Sequence, residues 1–128
     1  VPNSGSPPEY WEHRGDLVFL SVEHAQRYVD ILTKALGLSR IQVVFDPKLK
    51  NRNGKQLSGL AQLRKRVILL RSPGEATVRH EVAHFLADSR NRGTEDIQKT
   101  HVSPGWVQAQ RDVDTAVSKL VKDRAAGG

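Results

Sequence analysis

The sequence predicts a single α+β domain, and three observations support this fold class. Residues 22–36 and 76–90 each carry apolar side chains at helical spacing. Short β-rich runs bounded by turn residues lie between these two segments. The chain of 128 residues is long enough to bury one modest core. We therefore expect an N-terminal helix, a small three-stranded mixed sheet, a central helix and a closing helix. This domain should span residues 16–124, between a flexible tail at 1–15 and a frayed end at 125–128.

The first helix and the strands are defined by their end signals. Ser21 is a suitable N-cap and Gly37 a suitable C-terminal stop for the first helix. The strands are expected at residues 41–45, 57–63 and 67–70, where β-branched or alternating apolar residues occur. Arg64 and Lys65 would form the tight connection between the second and third strands.

The central and closing helices carry similar start signals. Ser72-Pro73-Gly74-Glu75 matches a capping box in which Pro73 is the first helical residue and Glu75 bonds back to the Ser72 amide. The central helix should end near Arg90, before the turn residues that follow. The closing helix should run from Pro104, behind a Ser cap, to about Lys122.

The central helix contains the motif H-E-x-x-H, formed by His80, Glu81 and His84. Residues four apart lie on one helical face, so both imidazoles can reach one metal ion. A catalytic zinc site needs three protein ligands and one open position for water. Glu81 would then act as the general base that deprotonates the zinc-bound water. The motif therefore predicts one Zn²⁺ per chain.

The third ligand is expected to be His101, because it is the only other His after the motif and imidazole suits zinc. Glu95, Asp96 and Asp88 are the alternatives. Asp88 lies one turn beyond His84, so it could ligate the metal or orient His84 from behind.

These residues resemble the SprT-like zinc metalloproteases, which include the Spartan DNA–protein crosslink proteases. The resemblance rests on the segment from Thr77 to His84, on the downstream His101 and Trp106, and on the β-rich runs before the helix. It covers roughly residues 22–120. It implies a zincin-like fold and a zinc metalloendopeptidase whose third ligand comes from a downstream H-x-x-x-aromatic element. The chain departs from that pattern by one additional residue between His101 and Trp106, and it has no Cys for a zinc ribbon.

A basic stretch precedes the central helix in a chain of net charge +6. Residues 47–74 contain eight basic residues and no acidic one: Lys48, Lys50, Arg52, Lys55, Arg64, Lys65, Arg66 and Arg71. Such a stretch suits a DNA backbone, and we assign the first seven to nucleic-acid binding. The alternative is an ordinary solvated surface.

The leading hypothesis is hydrolysis of a protein or peptide substrate, with Tyr28 or Arg79 as unsupported candidates for stabilising the oxyanion. The alternative is a regulatory or nucleic-acid-binding module in which a fourth ligand, Asp88 or Glu95, makes the zinc site structural or inert. No apolar run is long enough to span a membrane. We expect a cytoplasmic or DNA-associated protein. The absence of an initiating Met leaves export of a processed form open, and oligomeric state is not addressed by the sequence.

Overall fold

The computed structural model describes residues 18–19, 21–71, 73–91 and 104–127. Its elements follow the predicted order: α1 (Val22–Leu36), β1 (Gln42–Phe45), β2 (Gly59–Gln62), β3 (Val67–Leu70), α2 (Glu75–Asn91) and α3 (Pro104–Gly127). The α+β class with three helices and a small sheet is thus confirmed.

The three strands form a mixed sheet in the order β1-β3-β2. β1 pairs with β3 in parallel, with Val43 opposite Ile68, and β2 pairs with β3 in antiparallel fashion, with Ala61 opposite Ile68. β2 therefore lies at one edge of this sheet. That position matters because β2 also packs against α2, the helix that carries the motif.

α1 begins and ends where its caps predict. The Ser21 hydroxyl accepts a hydrogen bond from the His24 N–H at 3.2 Å, which satisfies one unpaired amide of the first turn. Gly37 adopts φ 72°, and the N–H of Leu38 donates to the Thr33 carbonyl at 2.9 Å. Only a glycine enters this left-handed conformation without steric cost, so the predicted stop is confirmed.

The start of α2 differs from the prediction. The helix begins at Glu75, so Pro73 is not its first residue, and Ser72 lies outside the described residues. Pro73 instead accepts a hydrogen bond from the Phe19 N–H at 2.7 Å, and Gly74 bridges to Val18. Pairing with the segment before α1 holds these residues extended, and no local capping signal could reveal such a distant partner.

Other boundaries also differ from the prediction. β1 and β2 are shorter than expected, and residues 63–66, rather than Arg64 and Lys65 alone, connect β2 to β3. Arg66 closes this turn with φ 55°. α3 continues to Gly127 instead of ending near Lys122, which is consistent with the high helix propensity of the intervening Arg and Ala residues.

The core lies between the sheet and the three helices. Its buried members include Tyr28, Leu32, Ile41, Val43, Ile68, Leu70, Val78, Val82, Phe85, Leu86, Trp106, Val113 and Val117. Within the described ranges, no helix combines the length and the hydropathy needed to cross a membrane.

Candidate metal centre

Helix α2 brings His80 and His84 together as their spacing predicts. Their Nε2 atoms lie 3.2 Å apart, and the two ring planes are inclined by 81°. His84 is 5 % exposed, whereas His80 is partly open to solvent. The pair thus presents two converging nitrogens at the boundary between core and solvent.

This separation fits two ligands of one zinc ion. Two nitrogens bound at about 2.0–2.1 Å to a tetrahedral zinc lie roughly 3.3 Å from each other. A distance of 3.2 Å between the Nε2 atoms would need almost no adjustment. The same distance also suits a hydrogen bond from one ring to the other, so the geometry admits both a metal and a shared proton.

Trp106 of α3 packs against both imidazoles. Its ring centroid lies 4.4 Å from that of His84, with the planes inclined by only 30°, and 5.0 Å from that of His80 in an edge-on arrangement. The indole is 2 % exposed. It therefore forms a rigid apolar wall that limits how far either ring can turn. The sequence placed Trp106 in the closing helix but did not predict that it contacts the motif.

Glu81 is a buried carboxyl group, 6 % exposed. Burial raises its pKa from 4.5 to about 7, although the Ala61 backbone N–H donates a hydrogen bond to it and opposes the shift. Among the described residues no Lys, Arg or His forms an ion pair with this carboxylate. A carboxyl group with a pKa near neutrality suits proton transfer.

A pocket of about 340 Å³ opens beside this group. It is lined by Ser58, Gly59, Ala76, Thr77, His80 and Glu81. Gly59 permits the close approach of β2 to α2. A Cβ at this position would lie 2.7 Å from the Thr77 methyl carbon and 3.2 Å from a Glu81 carboxylate oxygen. This role of Gly59 was not predicted, since a glycine in a strand gives no sign of which side chain approaches it.

The expected third ligand, His101, and its alternatives Glu95 and Asp96 lie outside the described residues. Within the described part of the chain, no three His, Asp or Glu side chains are grouped so as to hold a metal ion. The alternative role of Asp88, as a ligand or as a partner that orients His84, stays a prediction. The two imidazoles fit a metal, and the source of the third donor stays a prediction.

Tyr28 and Arg79, the oxyanion candidates, are engaged elsewhere. The Tyr28 hydroxyl and the Arg79 Nε both donate to the Glu75 carboxylate, and Arg79 Nη1 also donates to Asp114 at 3.1 Å. Burial, with the adjacent Glu75 carboxylate, raises the pKa of Tyr28 well above its usual value. Both side chains therefore belong to a network that joins the three helices and is buried at Tyr28 and Glu75. The Glu75 carboxylate belongs to this network, whereas its predicted capping-box bond to the Ser72 amide lies outside the described residues.

The basic stretch divides into two groups. Arg66 donates to the backbone carbonyls of Ser39 at 2.7 Å and Arg40 at 3.1 Å, and its guanidinium lies 5.3 Å from the Phe85 ring centroid. Arg71 donates to the Leu57 carbonyl at 2.8 Å. These two stabilise the fold. The exposed remainder consists of Lys48, Lys50, Arg52, Lys55, Arg64 and Lys65.

Comparisons with protein-family profiles, with curated proteins and with solved structures find no match to this chain. The geometry of the residues themselves is therefore the basis for a functional proposal.

Proposed function

We propose that the chain is a zinc-dependent metalloendopeptidase with a SprT-like, zincin-type core. One observation carries this proposal: two imidazole Nε2 atoms converge to 3.2 Å beside a pocket that the buried Glu81 also lines. A solvated helix with two His by chance would not need a buried, unneutralised carboxyl group next to them. Burying that group costs free energy, and a role in proton transfer explains its retention.

His80 and His84 would hold the metal, with His101 as the expected third ligand. When bound, zinc supplies Lewis acidity, which polarises a scissile carbonyl and makes a water more acidic. Glu81 takes a proton from the attacking water and later delivers it to the leaving amine. Trp106 holds the two imidazoles in position. The Ala61 N–H holds the Glu81 carboxylate toward the pocket.

The edge strand β2 offers a way to bind an extended substrate. The N–H of Ala61 points to Glu81, away from β3. In an antiparallel pair every second residue has this orientation, so the N–H and C=O of Gly59 also point away from β3. A substrate strand added along this edge would form main-chain hydrogen bonds beside Glu81. Such binding requires an unfolded or extended polypeptide and depends little on side-chain identity.

Metal content and proteolysis together test the proposal. Purified protein should contain one zinc per chain and cleave casein, and a chelator should abolish cleavage. The double variant His80→Ala/His84→Ala should lose both properties, whereas His24→Ala, which removes an imidazole from α1, should retain them. Equal zinc in the double variant and the parent protein would refute the metal centre.

The third ligand is tested by single substitutions. His101→Ala should weaken zinc binding sharply, Asp88→Ala should weaken it less, and Glu95→Ala and Asp96→Ala should leave it nearly normal. If Glu95→Ala removes the metal and His101→Ala does not, the SprT-like correspondence fails in the C-terminal half. A closed site with four protein ligands, no exchangeable water and no proteolysis would instead favour the regulatory-module hypothesis.

A further inference from the structure

Arg64 and Lys65 form an exposed basic turn at the end of β2. Neither has an acidic partner among the described residues, where the ion pairs involve other basic residues. Their neighbours Arg66 and Arg71 donate to backbone carbonyls and are needed for the fold. Arg64 and Lys65, which we call the basic turn, thus carry two positive charges without an acidic partner in the described part of the chain.

The basic turn lies on the path that an extended substrate would follow. Together with Ala61, Gln62 and Leu63, it lines an open pocket of about 330 Å³. Ala61 is also the residue whose N–H reaches Glu81. Three to four residues separate Ala61 from the basic turn and part of them belongs to the turn, so the two are at most about 10–13 Å apart at roughly 3.3 Å per residue.

The other end of β2 has a different chemical character. The pocket there is lined by Ser58, Gly59, Ala76 and Thr77, together with His80 and Glu81, and it includes no Lys or Arg. The lining of this pocket therefore lacks the two positive charges that the basic turn places at the other end of β2. Two positive charges at one end of β2 favour a bound strand that carries negative charge at that end.

We propose that the basic turn selects polypeptides with an acidic side chain two to four residues to one side of the cleaved bond. This inference rests on the proposed peptidase function and adds a substrate class to it. The partner is an extended acidic segment, held through main-chain bonds to β2 and through Asp or Glu at the turn. Because both charges are exposed, the preference is modest, on the order of fivefold, and weakens at high salt.

Cleavage-site profiling with a library of proteome-derived peptides tests the inference. The zinc-loaded protein should cut sites with Asp or Glu enriched on one side, at two to four residues from the cut. The variant Arg64→Gln/Lys65→Gln should lose this enrichment, and Arg64→Glu/Lys65→Glu should replace it with a preference for Lys or Arg. The matched control Lys48→Gln/Lys50→Gln removes the same charge from the same basic stretch and should leave the profile unchanged.

A binding experiment separates this inference from the peptidase function. The same library is passed over immobilised, zinc-loaded Glu81→Gln protein, and the retained peptides are identified. Acidic peptides retained through the basic turn, without cleavage by the parent protein, would support recognition of acidic segments by the turn and would refute the peptidase. Cleavage without any acidic preference would overturn the inference alone. Neither cleavage nor selective retention would overturn both.

Single-stranded DNA is the competing occupant of the basic turn. Anisotropy of a labelled oligonucleotide is measured with the parent protein and with Arg64→Gln/Lys65→Gln. DNA binding that requires the two residues, combined with a peptide profile that does not, would overturn the inference in favour of DNA. An acidic peptide preference that requires them, with DNA binding unaffected by their removal, supports it.

Discussion

Helix α2 carries two buried glutamates, Glu75 and Glu81, with opposite surroundings. Glu75 is 2 % exposed and accepts hydrogen bonds from Tyr28 and Arg79. Glu81 is 6 % exposed, accepts from one backbone N–H, and faces a pocket beside two imidazoles. The first carboxylate is neutralised by a cation, whereas the second has no cationic partner in the part of the chain that the structure describes.

The difference separates a structural carboxylate from a reactive one. A buried charge that is paired and hydrogen-bonded holds elements together, and removing one partner leaves the others unsatisfied. A buried carboxyl group without a cationic partner has a raised pKa and can exchange a proton near neutral pH. The same residue type on the same helix thus serves two purposes according to what lies opposite it.

The largest expected effect on stability follows removal of Glu75. Glu75→Ala leaves the fully buried Tyr28 hydroxyl and the Arg79 guanidinium without their common acceptor. The free energy of unfolding should fall by about 3–5 kcal/mol. Urea denaturation measures this. Asp114→Ala, which removes only the exposed partner of Arg79, is the control and should cost less than about 1 kcal/mol. Equal losses in the two variants would contradict a structural role for Glu75.

Glu81→Gln should stabilise the fold above neutral pH, in contrast to the destabilising Glu75→Ala. The comparison is made in protein kept metal-free by a chelator. The folded-state pKa of Glu81, about 7, lies above the ordinary value of 4.5, so folding favours the protonated carboxyl group. The parent protein therefore loses stability as the pH rises from 4.5 through 7, whereas Gln does not titrate. Glu81→Gln should be neutral at pH 4 and stabilising by about 3 kcal/mol at pH 8. A pH-independent effect would show that Glu81 is not desolvated.

Gly59→Ala should disturb the contact between β2 and Glu81 by a smaller amount. The added methyl group would clash with the Thr77 methyl carbon at 2.7 Å and crowd the Glu81 carboxylate. We expect a loss of about 1–3 kcal/mol, with reduced activity. Thr77→Ser removes that methyl group, so the double variant Gly59→Ala/Thr77→Ser should recover part of the lost stability. Strictly additive effects in the thermal unfolding of the four proteins would exclude this contact.

The sequence predicted the structure correctly where the pattern involves only neighbouring residues. Ser21 and Gly37 set the ends of α1, and the four-residue spacing of His80 and His84 placed both rings on one face of α2. Each of these depends only on helix geometry and on neighbouring residues. The approximate positions of the three strands also followed from the β-rich runs, whereas their order in the sheet did not.

The sequence failed where a distant segment decides the outcome. Glu75 matched a local capping box, but its carboxylate also accepts hydrogen bonds from Tyr28 of α1 and from Arg79, and the bond from Tyr28 was not predicted by any local pattern. Pro73 does not start α2. Its carbonyl accepts a hydrogen bond from the Phe19 N–H, which holds this segment extended. The contact of Trp106 with both imidazoles depends on how α3 packs against α2. No spacing within one helix can reveal such contacts.

The most direct test of the difference between the two glutamates is the zinc content and activity of Glu81→Gln at neutral pH. Gln keeps the shape of Glu81 and is not expected to remove a ligand, so the variant should hold one zinc per chain and fold normally. Casein cleavage should fall by about a hundredfold or more, because the general base is lost. A Glu81→Gln protein that cleaves casein at the parent rate with full zinc occupancy would contradict the assignment of Glu81 as the reactive carboxylate.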